Sequence, residues 1–174
     1  LQDLNIFLHQ LSHTNPTSIY LADVGSHQMW SAQSLEIYQD QLFLTSGGMG
    51  SMGYALPAAI GATLASGKPC TVIVGDGSMQ INIQELQTIV RNKLPLKIVV
   101  MNNQSLGMIR QFQDSYFDSR YQSTVWGYST PDFEKIANAY GIKARSIRDL
   151  EQCNDAIHWL LSDKTLLEPM LLQV

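Results

Sequence analysis

Short runs of branched aliphatic residues alternate with stretches of helical period along this chain, and the pattern predicts a succession of strands and helices. Helices are expected over residues 5–11, 28–35 and about 51–65, the last rich in small side chains. Brief strands are expected at 18–22 and 42–45. The run Thr71-Val72-Ile73-Val74 predicts a central strand feeding a helix from 78 to about 92, with Leu86, Ile89 and Val90 on one face. Residues 96–101 give the next strand. The period is lost between 104 and 130, which predicts a long loop and a short helix over one edge of the sheet. Pro131 restarts order as the first turn of a helix carrying Phe133, Ile136, Ala137 and Tyr140. A strand at 142–146, a helix at 150–161 with Cys153, Ile157 and Leu160 inward, and a last strand at 170–174 complete the layout. Such alternation with short connections implies an α/β fold, a mainly parallel sheet with helices on both faces. No repeat, linker or low-complexity segment divides the chain, so residues 1–174 are expected to form a single domain.

Two polar clusters fall at the carboxyl ends of predicted neighbouring strands: Gly75-Asp76-Gly77-Ser78 and Asn102-Asn103. In an open parallel sheet that edge is where ligands bind. Magnesium takes oxygen ligands in near-octahedral array, usually one or two from protein with phosphate oxygens and water. Asp76 offers a carboxylate, Asn103 an amide oxygen, and a backbone carbonyl at about Ser105 a third ligand. Gly75 and Gly77 permit close backbone approach, and Ser78 is expected to open a helix whose N–H groups favour an anion. The clusters together point to a magnesium–diphosphate site. Taken separately, the glycine segment is also a tight turn and the asparagine pair also a turn or cap.

Composition narrows the partners. Charged residues make up 15% of the chain, against about 25% in ordinary domains, which implies that other protein covers part of the surface. A net charge of −4 provides no basic stripe for nucleic acid. No apolar run approaches the roughly 20 residues of a membrane span. Cys70 and Cys153 lie far apart, without metal or redox spacing, and read as reduced, buried thiols of a cytoplasmic protein. The start Leu1-Gln2-Asp3 carries neither an initiator methionine nor a secretory signal, so the chain is expected to be a fragment of a longer multidomain protein.

The spacing from Gly75-Asp76-Gly77 to Asn102-Asn103 resembles the thiamine diphosphate-binding signature. With Val24-Gly25-Ser26-His27-Gln28-Met29-Trp30, Ser46 to Gly61, and Asn102 to Met108, nearly the whole chain resembles the carboxyl-terminal cofactor domain of acetolactate (acetohydroxyacid) synthase large subunits. The resemblance implies a thiamine diphosphate-binding fold, with Mg2+ on Asp76, Asn103 and the Ser105 carbonyl. Cofactor contacts are expected from Val24, Gly25, His27, Gln28, Gly50, Ser51, Met52, Gly75, Gly77, Ser78, Gly107 and Met108. His27 and Gln28 would serve the diphosphate end, or simply begin a helix. Relatives often carry glutamine where this chain has Ser26. Gly50 and Ser51 would face the pyrimidine. Met52 matches the bulky residue that props the cofactor in a bent shape; otherwise it is core filler.

Met108 and Phe112 are expected in the substrate pocket, or as packing four apart on one helix face. At Phe112 the family usually presents tryptophan. The implied reaction decarboxylates a 2-oxo acid such as pyruvate and passes the resulting enamine to a second carbonyl. The activating glutamate would come from a pyrimidine-binding domain of a partner subunit, since Glu85 does not match it, and this chain alone would be inactive. The parent would be a homodimer or homotetramer, and FAD, if present, would sit elsewhere in it. Branched-chain amino acid biosynthesis is the pathway the resemblance suggests. Another 2-oxo acid decarboxylase or ligase, a separate beta subunit, and a catalytically silent binding module are the alternatives.

Overall fold

The computed structural model describes residues 2–14, 19–38, 40–162 and 166–174. Six strands form one sheet: β1 (Ile19–Ala22), β2 (Leu42–Thr45), β3 (Cys70–Gly75), β4 (Leu96–Met101), β5 (Lys143–Ser146) and β6 (Met170–Gln173). Their spatial order is β2-β1-β3-β4-β6-β5, and every pairing is parallel. The α/β expectation therefore holds in full. The predicted strand at 18–22 has its first residue outside the described residues.

The middle strands explain the arrangement. All six residues of β3 and all six of β4 are buried, because helices cover both faces. Alternate residues point to opposite sides. Val72, Val74, Ile98, Val100 and Leu171 join one core with α3 (Ala55–Ser66), α5 (Glu85–Arg91) and α7 (Phe133–Ala139). Ile73, Val99, Met101, Met170 and Leu172 join the other with α1 (Gln2–Thr14) and α8 (Cys153–Leu160). Helix α1 reaches that core through Phe7, Leu8 and Leu11, all fully buried.

Several boundaries differ from the sequence expectation, each for a local reason. Helix α3 begins at Ala55 rather than near residue 51, because the preceding turn passes through Gly53 at φ +86°, which a helix cannot continue. The helix expected over 78–92 is two, α4 (Asp76–Ile81) and α5, so the first turn takes in Asp76 itself and Ser78 does not open it. At the break, Asn82 turns its side chain to the glycine turn and donates Nδ2–H to the Gly53 carbonyl at 2.6 Å. Within 104–130 lies α6 (Gly107–Tyr116), longer than expected and without a single buried residue. The helix after Pro131 begins at Phe133, with Asp132 accepting the Lys135 backbone N–H at 3.0 Å as its cap. A 3-10 turn, Leu150–Gln152, leads into α8.

At the amino edge of the sheet, away from the polar clusters, Lys97 is fully buried and donates Nζ–H to the Glu168 carbonyl at 2.7 Å. Burial lowers its pKa to about 8, partly offset by the Glu168 carboxylate. Cys70 and Cys153 are both buried, and neither is in a disulfide.

Phe7→Ala should lower stability by about 3–5 kcal/mol, since it empties a fully buried site between α1 and the sheet. Urea unfolding followed by far-UV circular dichroism measures this, and a loss below about 1 kcal/mol would mean that α1 does not belong to the cooperative core.

Candidate functional site

The chain runs from β1 outward to β2 and returns past β1 to β3, so the strand order reverses between β1 and β3. A crevice opens at such a switch point, at the carboxyl ends of the strands. Here it is a cavity of about 510 Å³. The register pairs Gly75 with Met101, so the segments beginning at Asp76 and Asn102 leave the sheet side by side.

The β1 side is organised by Asp23, a fully buried carboxylate just past the strand. Its Oδ1 accepts the N–H groups of Val24 (2.7 Å) and Gly53 (2.9 Å), and its Oδ2 accepts that of Ala55 at 2.7 Å. Three donors aimed at one anion make burial of the charge tolerable and cap α3 from a distant part of the chain. Sequence reading missed Asp23. Its only local signal was an acidic residue at the carboxyl end of an apolar strand.

His27 follows on α2 (Ser26–Ser34) and is 5% exposed. The Gly75 backbone N–H donates to its Nε2 at 3.1 Å, which requires a neutral ring. Burial lowers the His27 pKa to about 4, against the opposing pull of the Asp23 charge and a hydrogen bond to the Asp23 backbone. The imidazole thus ties the β1 end to the β3 end. Ser78 makes a second tie, donating Oγ–H to the Val24 carbonyl at 3.2 Å.

Asp76 lies on the cavity wall and is 3% exposed. Its Oδ1 accepts the Gly77 N–H at 3.0 Å, while Oδ2 is buried and has no hydrogen-bond partner. Burial raises its pKa, against smaller lowering contributions from the Gly77 amide, Tyr128 and the Ser105 amide. The Tyr128 hydroxyl faces the carboxylate and its own pKa is raised, first by burial and then by the Asp76 charge. The two oxygens do not close a hydrogen bond by geometry, and both are left without one. Tyr128 was also missed. It arrives because the segment after α6 folds back on that helix, with Gln113 donating to the Gln122 carbonyl at 3.1 Å and Tyr121 bonded to Asp114.

Gly77 has the tightest surroundings. A Cβ there would sit 2.6 Å from Leu106 Cδ2, 3.0 Å from the Tyr128 hydroxyl and 3.2 Å from Met52 Cε. Opposite, Asn103 Oδ1 accepts the Ser105 N–H at 3.2 Å. Ser105 is buried against the same cavity.

Of the residues expected at the site, Val24, Gly25, His27, Gly50, Met52, Gly75, Asp76, Gly77, Ser78, Asn103, Ser105, Gly107 and Met108 all line this cavity. Three do not. Gln28 donates Nε2–H to Thr45 Oγ1 at 2.7 Å, Ser51 donates its N–H to Ser46 Oγ at 3.4 Å, and Phe112 packs on Tyr116 and Phe117. Leu4 and Phe7 of α1, Trp30, and Arg148 and Asp149 beyond β5 line the cavity without having been anticipated. The last two follow a strand that ends at the same edge, a position the sheet rule could have nominated.

The described residues fit a hard cation and a diphosphate. Asp76, with one buried carboxylate oxygen that lacks a hydrogen-bond partner, and Asn103, with its amide, both line the cavity, and at Gly77 the backbone packs so closely on Leu106, Tyr128 and Met52 that a Cβ has no place.

These features define a parallel α/β domain with a cavity at its switch point. The chain matches the family of thiamine pyrophosphate enzymes, C-terminal TPP binding domain, over residues 23–174, and it belongs to that family. It is 43% identical over 159 residues to the acetolactate synthase isozyme 2 large subunit of Escherichia coli (strain K12), covering 90% of this chain and 29% of that protein. It is 40% identical over 166 residues to the acetolactate synthase of Arthrospira platensis, covering 95% and 28%. The acetolactate synthase large subunit of Lactococcus lactis subsp. lactis (strain IL1403) is 40% identical over 163 residues, covering 93% and 28%. The chain spans less than a third of the length of these relatives. Among the described residues no helix is long and apolar enough to cross a membrane.

Two measurements test the local physics. Asp23→Ala leaves three backbone donors without their acceptor and should cost about 2–4 kcal/mol in urea unfolding. For His27, the folded pKa of about 4 lies below the unfolded 6.5. Its contribution is therefore complete above pH 6.5 and falls away as the pH drops toward 4, by about 3 kcal/mol in total. The raised Asp76 carboxyl acts in the opposite sense, so the comparison is between variants at each pH. His27→Gln, whose amide oxygen still accepts from Gly75, should flatten this fall; an unchanged pH profile would remove His27 as its source.

Proposed function

We propose that this chain, residues 1–174, is the diphosphate-binding domain of a longer acetolactate synthase-like protein, and that Asp76, Asn103 and the Ser105 backbone carbonyl hold Mg2+ on the diphosphate of thiamine diphosphate. The observation that carries the reading is Asp76, a residue of the cavity wall whose Oδ2 is buried beside the Tyr128 hydroxyl and without a hydrogen-bond partner. Such an oxygen is costly until a cation meets it.

When bound, the cofactor supplies the electron sink that lets a 2-oxo acid such as pyruvate lose carbon dioxide and be joined to a second carbonyl compound. The protein's own residues bind and orient. Asp76 and Asn103 fix the metal end, and Ser78 and His27 keep the two strand ends at a constant separation. His27 remains neutral near pH 7, so it adds no charge beside the metal. Met52 projects into the cavity over Gly77, where it can hold the cofactor's shape. Val24, Gly25, Gly50, Gly75, Gly77, Gly107 and Met108 supply the remaining wall.

The substrate region is at Met108 and Phe112. Met108 is on the wall, and Phe112 is 55% exposed one turn further along α6. No residue of α6 is buried, and Ile109, Phe112 and Tyr116 lie exposed along it. That apolar exposure supports a cover from elsewhere in the parent assembly, where a pyrimidine-binding domain of a partner subunit in a homodimer or homotetramer supplies the activating glutamate. The likeness to acetolactate synthase large subunits supports the reaction type, a place in branched-chain amino acid synthesis and a cytoplasmic setting.

Asp76→Asn keeps the shape and removes the charge. It should leave the unliganded domain as stable or more stable, while calorimetric titration with thiamine diphosphate and Mg2+ shows affinity at least tenfold weaker. Binding unchanged in Asp76→Asn would exclude the metal assignment. In the intact parent protein, Phe112→Trp should leave cofactor affinity unchanged and shift the ratio of products formed from competing 2-oxo acid acceptors; an unchanged ratio would remove Phe112 from the substrate pocket.

A further inference from the structure

On the far side of α1 from the core, His9 and His13 stand one helical turn apart and meet Glu36, in the segment after α2. All three side chains are about half exposed. His9 Nδ1 lies 3.5 Å from Glu36 Oε1, and His13 Nε2 lies 3.2 Å from Glu36 Oε2. One donor atom from each of the three residues falls within 4.8 Å of the others. From these positions we infer a surface site for a zinc-class divalent transition metal, bound by His9 Nδ1, His13 Nε2 and a Glu36 carboxylate oxygen.

The distances suit that ion. Zinc binds imidazole nitrogen and carboxylate oxygen at about 2.1 Å in tetrahedral array, which places neighbouring ligand atoms about 3.4 Å apart. The two histidine-to-glutamate separations, 3.5 and 3.2 Å, are near this value but run to different carboxylate oxygens, so the ion draws the rings together over one edge of the carboxylate from a starting spread within 4.8 Å. Imidazole donors select zinc, nickel or copper over magnesium and calcium, so the site is chemically separate from the one at Asp76.

The surroundings hold the ligands in place. The Tyr38 hydroxyl bridges to His13 Nδ1 at 3.2 Å and donates to Glu36 Oε2 at 3.0 Å. With Nδ1 engaged by Tyr38, His13 is left to present Nε2 to a metal, the outer-shell arrangement that fixes tautomer and ring orientation. The backbone of Glu36 is anchored as well, its N–H donating to Ser12 Oγ at 3.2 Å while Ser12 donates to the His9 carbonyl at 2.8 Å. Ser34 Oγ–H donates to Asn5 Oδ1 at 2.9 Å and adds a second tie between the same two segments. Three protein ligands leave a fourth position for water. A metal here would clamp α1, which contributes Leu4 and Phe7 to the cavity wall, onto the segment after α2.

The test is calorimetric titration of the full chain with Zn2+, paired with thermal unfolding. Wild type should bind one Zn2+ saturably and unfold at higher temperature when it is present. His13→Gln and Glu36→Gln should each weaken binding at least tenfold and abolish the thermal shift, and Tyr38→Phe should weaken it about tenfold. Asp76→Ala should bind Zn2+ as wild type does, which separates this site from the cofactor site. The side chains are exposed, so the substitutions leave the core intact. No saturable Zn2+ binding by wild type, or equal affinity in wild type, His13→Gln and Glu36→Gln, would overturn the proposal.

Discussion

The carboxylate of Asp23 is the constraint on which the site depends. A fully buried charge is retained only when donors surround it, and here the donors are the N–H groups of Val24, Gly53 and Ala55. Satisfying that one anion fixes the exit of β1, the glycine turn that carries Met52, and the start of α3. The turn is then joined to the next segment by Asn82, whose amide bonds the Gly53 carbonyl. Three separate stretches of sequence acquire fixed positions from two polar side chains.

Two polar groups on either side of the crevice are treated differently by the same low-dielectric surroundings. His27 is pushed toward its neutral form and used as an acceptor for Gly75, so its burial is compensated within the chain. Asp76 keeps one oxygen unmatched, and its cost is not compensated. The contrast separates a residue whose burial is satisfied within the chain from one, on the proposed reading, left for a ligand. Perturbed ionisation alone would not have distinguished them; the inventory of hydrogen-bond partners does.

Much of the fold could be read from the sequence because β3 and β4 are continuous branched aliphatic runs, the composition expected of strands buried on both faces. The common placement of the glycine–aspartate and asparagine clusters was likewise legible, since the carboxyl ends of neighbouring parallel strands bring them to one edge. What escaped was long-range. Asp23 and Tyr128 belong to no local pattern, and each matters through a partner many residues away. The break between α4 and α5 was hidden because residues on both sides of Asn82 keep helical period while its side chain is drawn to another turn. Helix α6 resisted reading for the opposite reason: its apolar residues have a helical stripe, but nothing among the described residues buries it. Phe112 lies on that stripe, clear of the wall it was expected to form.

The two ends of the sheet are finished unequally. Strand β5 carries Lys143 and Arg145, paired with Glu168 and Asp155, and such charges discourage another strand from adding to the edge. Strand β2 reads Leu-Phe-Leu-Thr, is incompletely buried throughout, and exposes 55% of Leu42. Its outer backbone groups face away from β1, and the strand itself carries no charged side chain. A growing or partly unfolded chain therefore has one adhesive border and one protected border, and β2 is the border at which misassembly between copies would begin.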